Sequence, residues 1–214
     1  MTSGRSPHLV ALGDSMALGR NDPEPRGGWR GWAPRLALNL GISRDAVVNT
    51  AAEGAVVADV VKHQIPGLTG TRPEVVAFSC GMNDVMGGTA PQEVARDLDA
   101  LLSWAAGTGA VVVTTALLPC WDRLPLSRVR RSRLREVVAR FNQDLAATAL
   151  RYDAQCLDPA GLPATADPAM WSRDGIHLSP SGHQVIAEEF TRLVRKRLPL
   201  EASTRLSLGL GLGD

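Results

Sequence analysis

Residues 8–15 read His-Leu-Val-Ala-Leu-Gly-Asp-Ser, an apolar run that ends directly in a glycine, an aspartate and a serine. The run is short and apolar from Leu9 to Leu12, which predicts a strand that is buried on both faces. Comparable runs recur along the chain, each separated from the next by enough residues for a helix. The predicted strands are His8–Leu12, Ala46–Asn49, Glu74–Ser79, Ala110–Ala116 and Ala154–Leu157.

Longer amphipathic segments fill the intervals between these strands. Proline at the first turn and Gly107 at the end of Pro91–Ala106 show the asymmetry typical of helix ends, and Ser179 is a good N-cap for Pro180–Leu198. The other predicted helices are Trp29–Asn39, Ala55–Gln64 and Leu126–Tyr152. This alternation predicts an α/β three-layer sandwich around a five-stranded parallel sheet. We expect the strand order 2-1-3-4-5.

The composition is that of one globular domain, with 44% apolar and 21% charged residues among 214. The formal net charge of +1 provides no overall field for nucleic acid, and no apolar run approaches the ~20 residues that span a bilayer. If residues 8–12 were the apolar region of a leader, cleavage beyond that region would destroy the Gly13-Asp14-Ser15 motif, so we expect a cytoplasmic protein. Three cysteines, Cys80, Cys120 and Cys156, fit reduced buried thiols better than a disulfide or a zinc site.

Four short motifs each follow one of the predicted strands. In open α/β sheets ligands bind beyond the carboxyl ends of the strands, so all four motifs project toward the same rim. Together they supply a hydroxyl, a histidine with a nearby carboxylate, and donors for an oxyanion, which is what acyl transfer needs. The motifs are Gly13-Asp14-Ser15, Asn49–Gly54, Gly81-Met82-Asn83-Asp84 and Asp174-Gly175-Ile176-His177.

Ser15 and His177 are the candidate nucleophile and base. A Gly-Asp-Ser triplet alone is more often a turn or a helix cap, but Ser15 stands at the rim between Gly13 and Gly19. Asp174 precedes His177 by three residues, a spacing at which one tight turn can hold the carboxylate against the imidazole, although such a pair is as often structural. Structural or solvated positions are expected for the other histidines, His8, His63 and His183.

Asn83 and Gly54 are the candidate oxyanion donors. The alternative interpretation of Asn83 is an Asn-Asp turn, and the missing Cβ of Gly54 would let a backbone N–H approach closely. Asp14 and Asp84 are expected to hold loops rather than to take part in chemistry. One suitable histidine and scattered carboxylates at the rim do not form a ligand cluster, so a metal phosphoesterase is disfavoured and no metal is expected.

These residues resemble those of the SGNH, or GDSL, hydrolases, a family named for a serine, a glycine, an asparagine and a histidine in four sequence blocks. Ser15, Gly54, Asn83 and His177 match these positions, and Asp174 matches the triad acid. The resemblance runs from the first predicted strand to the last predicted helix, and includes Gly31-Trp32 and residues 178–187.

The resemblance implies a flavodoxin-like sandwich, no cofactor, and hydrolysis of esters or thioesters, with acyl transfer to alcohols in some members. It implies that Ser15, His177 and Asp174 are the catalytic triad, and that the N–H groups of Ser15 and Gly54 and the amide of Asn83 form the oxyanion hole. The chain departs from the family pattern at Met16, where leucine is usual, and at Glu53, where serine commonly precedes the glycine. A carboxylate at position 53 is expected to repel acidic substrates or to tune the histidine.

We therefore expect a serine esterase that acts on small O-acyl, acetyl-like esters. Its expected partner is a small-molecule ester, with no nucleic acid and no membrane span, and a monomer is slightly favoured. The alternatives are an acyltransferase to a hydroxylated acceptor and a non-catalytic binding domain on the same fold. The hydrolase domain is expected to span residues 1–198, and the Gly- and Leu-rich residues 199–214 to form a flexible tail.

Two further groups of residues fall near the predicted rim. Seven arginines between Arg123 and Arg140 are expected to form the solvated face of a helix, paired with Glu136 and Asp144, with a phosphate-bearing or acidic substrate as the alternative. Tryptophans and methionines are candidates either for a pocket wall or for the core beneath long loops. They are Trp29, Trp121, Trp171, Met82, Met86 and Met170.

Overall fold

A computed structural model describes residues 8–198 and contains one five-stranded sheet. All strand pairs are parallel, and the order is β2-β1-β3-β4-β5, as predicted. Each strand lies within one or two residues of its predicted position, because uninterrupted apolar runs mark buried parallel strands clearly. The strands are β1 (Leu9–Gly13), β2 (Val47–Asn49), β3 (Val75–Ser79), β4 (Val111–Thr115) and β5 (Gln155–Leu157).

Helices cover both faces of the sheet and complete the predicted three-layer α/β sandwich. They are α1 (Ser15–Leu18), α2 (Trp32–Leu40), α3 (Val57–Asp59), α4 (Met82–Gly87), α5 (Pro91–Gly107), α6 (Arg128–Arg151) and α7 (Pro180–Arg195). Alternate strand residues divide the core: Leu9 and Ala11 pack with α2 and α7, whereas Val10 and Leu12 pack with α3, α5 and α6. This alternation follows from the period of two in a strand.

Helix α2 begins at Trp32, whereas the sequence predicts a start at Trp29. The difference arises because Trp29 forms an antiparallel bridge with Pro23 and because Gly31 takes a φ of +68° as the N-cap. A Cβ on Gly31 would overlap the backbone of Gly19, so the chain needs glycine at this crossing. The contact is long-range, and hydrophobic periodicity carries no sign of it.

The local structure differs from the alternative interpretation of Asn83 and from the pairing predicted for the arginines. Asn83 does not form an Asn-Asp turn; it lies in the first turn of α4, which begins after Gly81 at a φ of +121°. In the arginine-rich part of α6, the ion pairs run from Arg131 and Arg135 to Asp122, and not to Glu136 or Asp144 as expected. Asp122 precedes the helix, so helical spacing could not indicate it.

Part of the predicted domain organisation lies outside the described residues. Residues 1–7 of the predicted domain and the predicted tail, 199–214, are not among the described residues, so the domain boundaries stay a prediction. Within residues 8–198, no helix combines the length and the apolar character that crossing a membrane requires. The three cysteines are free thiols, buried at Cys80 and Cys120 and half-buried at Cys156.

Candidate active site

Ser15 lies at the end of β1, at the first position of α1. The preceding Gly13 has a φ of +132°, and a Cβ there would overlap the carbonyl oxygen of Ser79 on β3. Glycine therefore allows the chain to turn sharply against the neighbouring strand. Asp14 then caps α1 by accepting a hydrogen bond from the N–H of Met16 at 2.9 Å. These two residues fix the position of the serine at the carboxyl rim of the sheet.

Gln64 supports the same turn from the other side and has no counterpart among the predicted site residues. Its buried side chain accepts a hydrogen bond from the N–H of Gly13 at 2.8 Å and donates one to the carbonyl of Gly13 at 2.7 Å. Gln64 ends a π-helical turn, Val60–Gln64, that continues α3. Such turns are common near functional sites. The partner is 51 residues away, so the sequence offers no direct signal for this contact.

The hydroxyl of Ser15 contacts the imidazole of His177, with 2.8 Å between Oγ and Nε2. The other ring nitrogen, Nδ1, lies 2.7 Å from Oδ2 of Asp174. The structure thus brings together the predicted serine, histidine and aspartate in one chain of contacts, although 162 residues separate the first two. In this arrangement the imidazole can take the serine proton while the carboxylate orients the ring.

The carboxylate of Asp174 receives several hydrogen bonds. Oδ1 accepts from the N–H groups of Ile176 and His177, each at 2.9 Å, and from Ser172 Oγ at 2.7 Å. Partial burial raises the pKa of Asp174, but these bonds outweigh the effect and hold its pKa well below the usual range. The carboxylate is therefore ionised at neutral pH, as orientation of an imidazole requires.

Asn21 also contacts this carboxylate and was not predicted from the sequence. Its amide nitrogen donates to Asp174 Oδ2 at 2.8 Å and to Ser172 Oγ at 2.9 Å. The bond spans 153 residues, and an asparagine in a turn has an ordinary local explanation. Sequence reasoning therefore had no reason to select it.

The two candidate oxyanion donors line the cleft above Ser15. Asn83 donates one amide N–H to the carbonyl of Ala55 at 2.9 Å, which leaves its second N–H for a ligand. Gly54 has a φ of +74°, and nothing lies within 4 Å of the place where its Cβ would be. The left-handed conformation of Gly54 favours glycine, and the open space beside it leaves room for a ligand to approach its backbone N–H, so its role as a donor stays a prediction.

The other histidines lie away from this contact chain, as expected. His8 pairs with Glu74 at 2.9 Å, and the exposed His63 lies 3.9 Å from Asp59. His183 is fully buried in α7 and contacts the carbonyl oxygen of Arg20 through Nε2 at 3.2 Å. Burial lowers the pKa of His183 to about 4, so its ring is neutral at physiological pH.

A cleft of about 330 Å³ opens at the serine. Most of its wall is apolar, formed by Met16, Met82, Met86, Ala116, Leu117, Leu118 and Ile176. Of the six tryptophan and methionine candidates, Met82 and Met86 line the cleft, whereas Trp171 and Met170 are buried in the core. Arg20 and Glu53 also line the cleft and form an ion pair beside Gly54.

Asp14 is a buried carboxyl group directly beside the serine. Burial raises its pKa to about 7, the hydrogen bond from Met16 opposes this, and the nearby Asp84 adds to it. Because the folded pKa lies above the ordinary 3.8, the native protein binds more protons than the unfolded chain between about pH 4 and pH 7. The contribution of Asp14 to stability therefore falls as the pH rises through this window.

Asp14→Asn should remove this pH-dependent loss of stability and should retain the helix cap, since Asn and Asp cap helices about equally well. The melting temperature of the variant relative to the original protein should increase from pH 4 to pH 7 and then level off, with a gain on the order of a few degrees. Thermal unfolding at several pH values measures this. Asp158→Asn is the matched control, because the exposed Asp158 makes the same kind of bond to the N–H of Ala160; an equal pH-dependent gain there would contradict the assignment.

The chain matches the GDSL-like lipase/acylhydrolase family over residues 11–185. No curated protein shows significant sequence similarity to it. LAE5, an α/β hydrolase enzyme from the metagenome of Lake Arreo, is 23% identical, with a TM-score of 0.65 over 89% of this chain and 96% of that chain. TesA is 22% identical, with a TM-score of 0.66 over 89% of this chain and 99% of that chain. Axe2, an acetylxylan esterase from Geobacillus stearothermophilus, is 17% identical, with a TM-score of 0.65 over 87% of this chain and 93% of that chain.

These structural likenesses show a shared fold. The family match covers most of the chain and includes Ser15, Gly54, Asn83, Asp174 and His177. The chain therefore belongs to the GDSL-like lipase/acylhydrolase family and is a carboxylic ester hydrolase of the SGNH type.

Proposed function

We propose that the protein hydrolyses small O-acyl, acetyl-like esters through an acyl-enzyme intermediate on Ser15. The observation that carries this proposal is the contact of Ser15 Oγ with His177 Nε2 at 2.8 Å, backed by Asp174 at 2.7 Å. A hydroxyl, a base within hydrogen-bond reach and a group that orients the base are what a serine nucleophile needs.

Acylation begins when Ser15 Oγ attacks the carbonyl carbon of the ester and its proton passes to His177 Nε2. The carbonyl oxygen becomes an oxyanion, which the N–H groups of Ser15 and Gly54 and the free amide N–H of Asn83 stabilise. The tetrahedral intermediate then collapses, the bond to the alcohol oxygen breaks, and His177 returns the proton to that oxygen. Ser15 is left as an ester of the acyl group.

Deacylation repeats these steps with water as the nucleophile. His177 takes a proton from water as it attacks the acyl carbon, and returns it to Ser15 Oγ when the acid leaves. The site is accessible to water, because the side chains of His177 and Asp174 are 15% and 38% exposed to solvent. This openness favours hydrolysis over transfer to an acceptor alcohol, a reaction that needs water to be excluded.

Asn83→Ala is expected to lower kcat by roughly 10²–10³ with little change in KM, because an oxyanion donor strengthens its bond only as charge develops. The variant also loses the bond to Ala55, so its melting temperature should fall modestly. Steady-state kinetics with active-site titration measure kcat for the folded enzyme alone.

Asp84→Ala is the matched control for this variant. Asp84 accepts a hydrogen bond from the N–H of Val57 at 3.0 Å, and so joins α4 to the same segment as Asn83 does. The control should lose stability but keep kcat for its folded fraction. If Asn83→Ala likewise lost stability and kept kcat, Asn83 would be a structural residue only.

Short acyl chains are expected to react faster than long ones. The cleft of about 330 Å³ lies at the lower end of the ~300–1,000 Å³ typical of small-molecule sites, and it must hold both the acyl and the alcohol groups. A panel of p-nitrophenyl esters of increasing acyl length tests this, with product analysis in the presence of an acceptor alcohol to detect transfer. Faster turnover of ten-carbon than of acetyl esters at matched solubility would refute the expectation.

A further inference from the structure

The Asn21 side chain closes a ring of hydrogen bonds around the carboxylate of Asp174. One amide N–H reaches Asp174 Oδ2 at 2.8 Å, the oxygen that also contacts His177. The other N–H reaches Ser172 Oγ at 2.9 Å, and that hydroxyl donates to Asp174 Oδ1 at 2.7 Å. This ring fixes the orientation of the amide, because the reverse orientation would direct its oxygen at a carboxylate.

Asn21 differs from the other donors to Asp174 in where it comes from. Ser172, Ile176 and His177 belong to the same loop as the carboxylate. Asn21 instead follows α1, the helix that begins with Ser15, and Arg20 beside it is held by a hydrogen bond from its N–H to the carbonyl of Ser15 at 3.0 Å. The amide of Asn21 therefore ties the acid of the triad to the segment that carries the serine.

The backbone of Asn21 is unusual as well. Asn21 and Asp153 are the two non-glycine residues with a positive φ among residues 8–198, at +69° and +55°. Glycine would adopt this conformation at lower cost, and residues held in it tend to cluster at functional sites. Turn formation alone does not require an amide here, whereas the ring around Asp174 does.

We propose that Asn21 is a positioning residue, whose amide holds the Asp174 carboxylate in line with His177 from the segment that carries Ser15. The inference rests on the proposed function only for the purpose of this alignment, which is catalysis by Ser15 and His177. The hydrogen bond itself has a consequence in the free protein, because a donor on Asp174 Oδ2 withdraws part of the negative charge that faces the imidazole.

Removal of this donor should leave more negative charge beside the ring and favour its protonated form. Other charged or titratable groups face the pair from the surrounding elements: Asp14 and Arg20 at α1, Glu53 beside Gly54, Arg123 against Gly175, and His183 on α7. These groups stay in place in an Asn21 variant. A shift in the titration of His177 would therefore report the lost amide.

Three variants test the proposal. Asn21→Gly deletes the amide and suits the positive φ, whereas Asn21→Asp replaces the donor with a second negative charge. Asp153→Gly is the matched control, since it makes the same backbone change in the turn after α6, which leads into β5. The readouts are the midpoint of the His177 ring titration, followed by NMR without substrate, the pH profile of kcat/KM on p-nitrophenyl acetate, and the melting temperature.

In Asn21→Gly the ring titration and the acid limb of the kcat/KM profile should both move to higher pH, and kcat should fall about 10-fold to 100-fold. Asn21→Asp should move the titration further, and Asp153→Gly should change neither. An unshifted titration in Asn21→Gly would overturn the proposal, whether or not activity or melting temperature falls. If the titration shifts but the original protein and Ser15→Ala hydrolyse the ester equally slowly, the proposed function fails and the positioning role stands.

Discussion

Ser15→Ala is expected to lower kcat by roughly 10⁴–10⁶ and to leave the fold intact. The large effect follows because the reaction needs the oxygen that becomes acylated, and the residues of a triad act as a unit. The small structural effect follows because the hydrogen bond of the Ser15 side chain goes to His177 alone among the described residues. A fluorophosphonate should add to the original protein and not to the variant, which intact-protein mass measures directly.

Ser79→Ala is the matched control for this experiment. Ser79 is a buried residue at the end of β3 that lines the same cleft, and the contact with Asp14 uses its backbone carbonyl rather than its hydroxyl. The control should keep its activity and its labelling. Adduct formation that persists in Ser15→Ala, or that disappears in Ser79→Ala, would show that the nucleophile is a different residue.

His177→Ala should lower kcat by a comparable roughly 10⁴–10⁶, because within residues 8–198 no other group contacts Ser15 Oγ as a base. The exposed His63→Ala variant should keep both activity and stability. His183→Ala should lose stability, since it leaves a cavity in α7 beneath Arg20, but its folded fraction should turn over normally. Activity measured per titrated active site separates these outcomes, and an equal loss of kcat at His183 would contradict the assignment of the base.

The sequence predicted the strands and the clustering of the site because both depend on local pattern, whereas the strand order, which local pattern does not fix, was expected from the family resemblance. Apolar runs mark the strands, and the parallel topology brings every strand end to one rim. This placed Ser15 and His177 on the same edge before any contact was known. The contact of 2.8 Å between them is a consequence of that topology together with the turn at Gly13.

The supporting residues that escaped prediction, Gln64 and Asn21, contact partners far away in the chain. In the sequence, Gln64 is only a residue at a helix end and Asn21 only a residue in a turn. Their contacts with Gly13 and Asp174 become evident in the structure alone. The short helix α4 is preceded by Gly81, where a Cβ would overlap the ring of Phe141 from α6. Gln64 and Asn21 are ordinary residues by composition and spacing, so a single sequence gives no reason to single them out. Gly81 belongs to a predicted motif, but its contact with Phe141 cannot be read from the sequence.

The ion pair between Arg20 and Glu53 bears on how substrates reach the cleft. Both side chains are about half exposed, so the pair presents the solvent with a short dipole rather than with a single charge. The field of such a dipole decays within a few ångströms and is screened further by salt. The expectation that Glu53 repels acidic substrates is therefore not favoured: its charge reaches an approaching ester only together with the opposite charge of Arg20, so this pair itself should discriminate little between anionic and cationic esters.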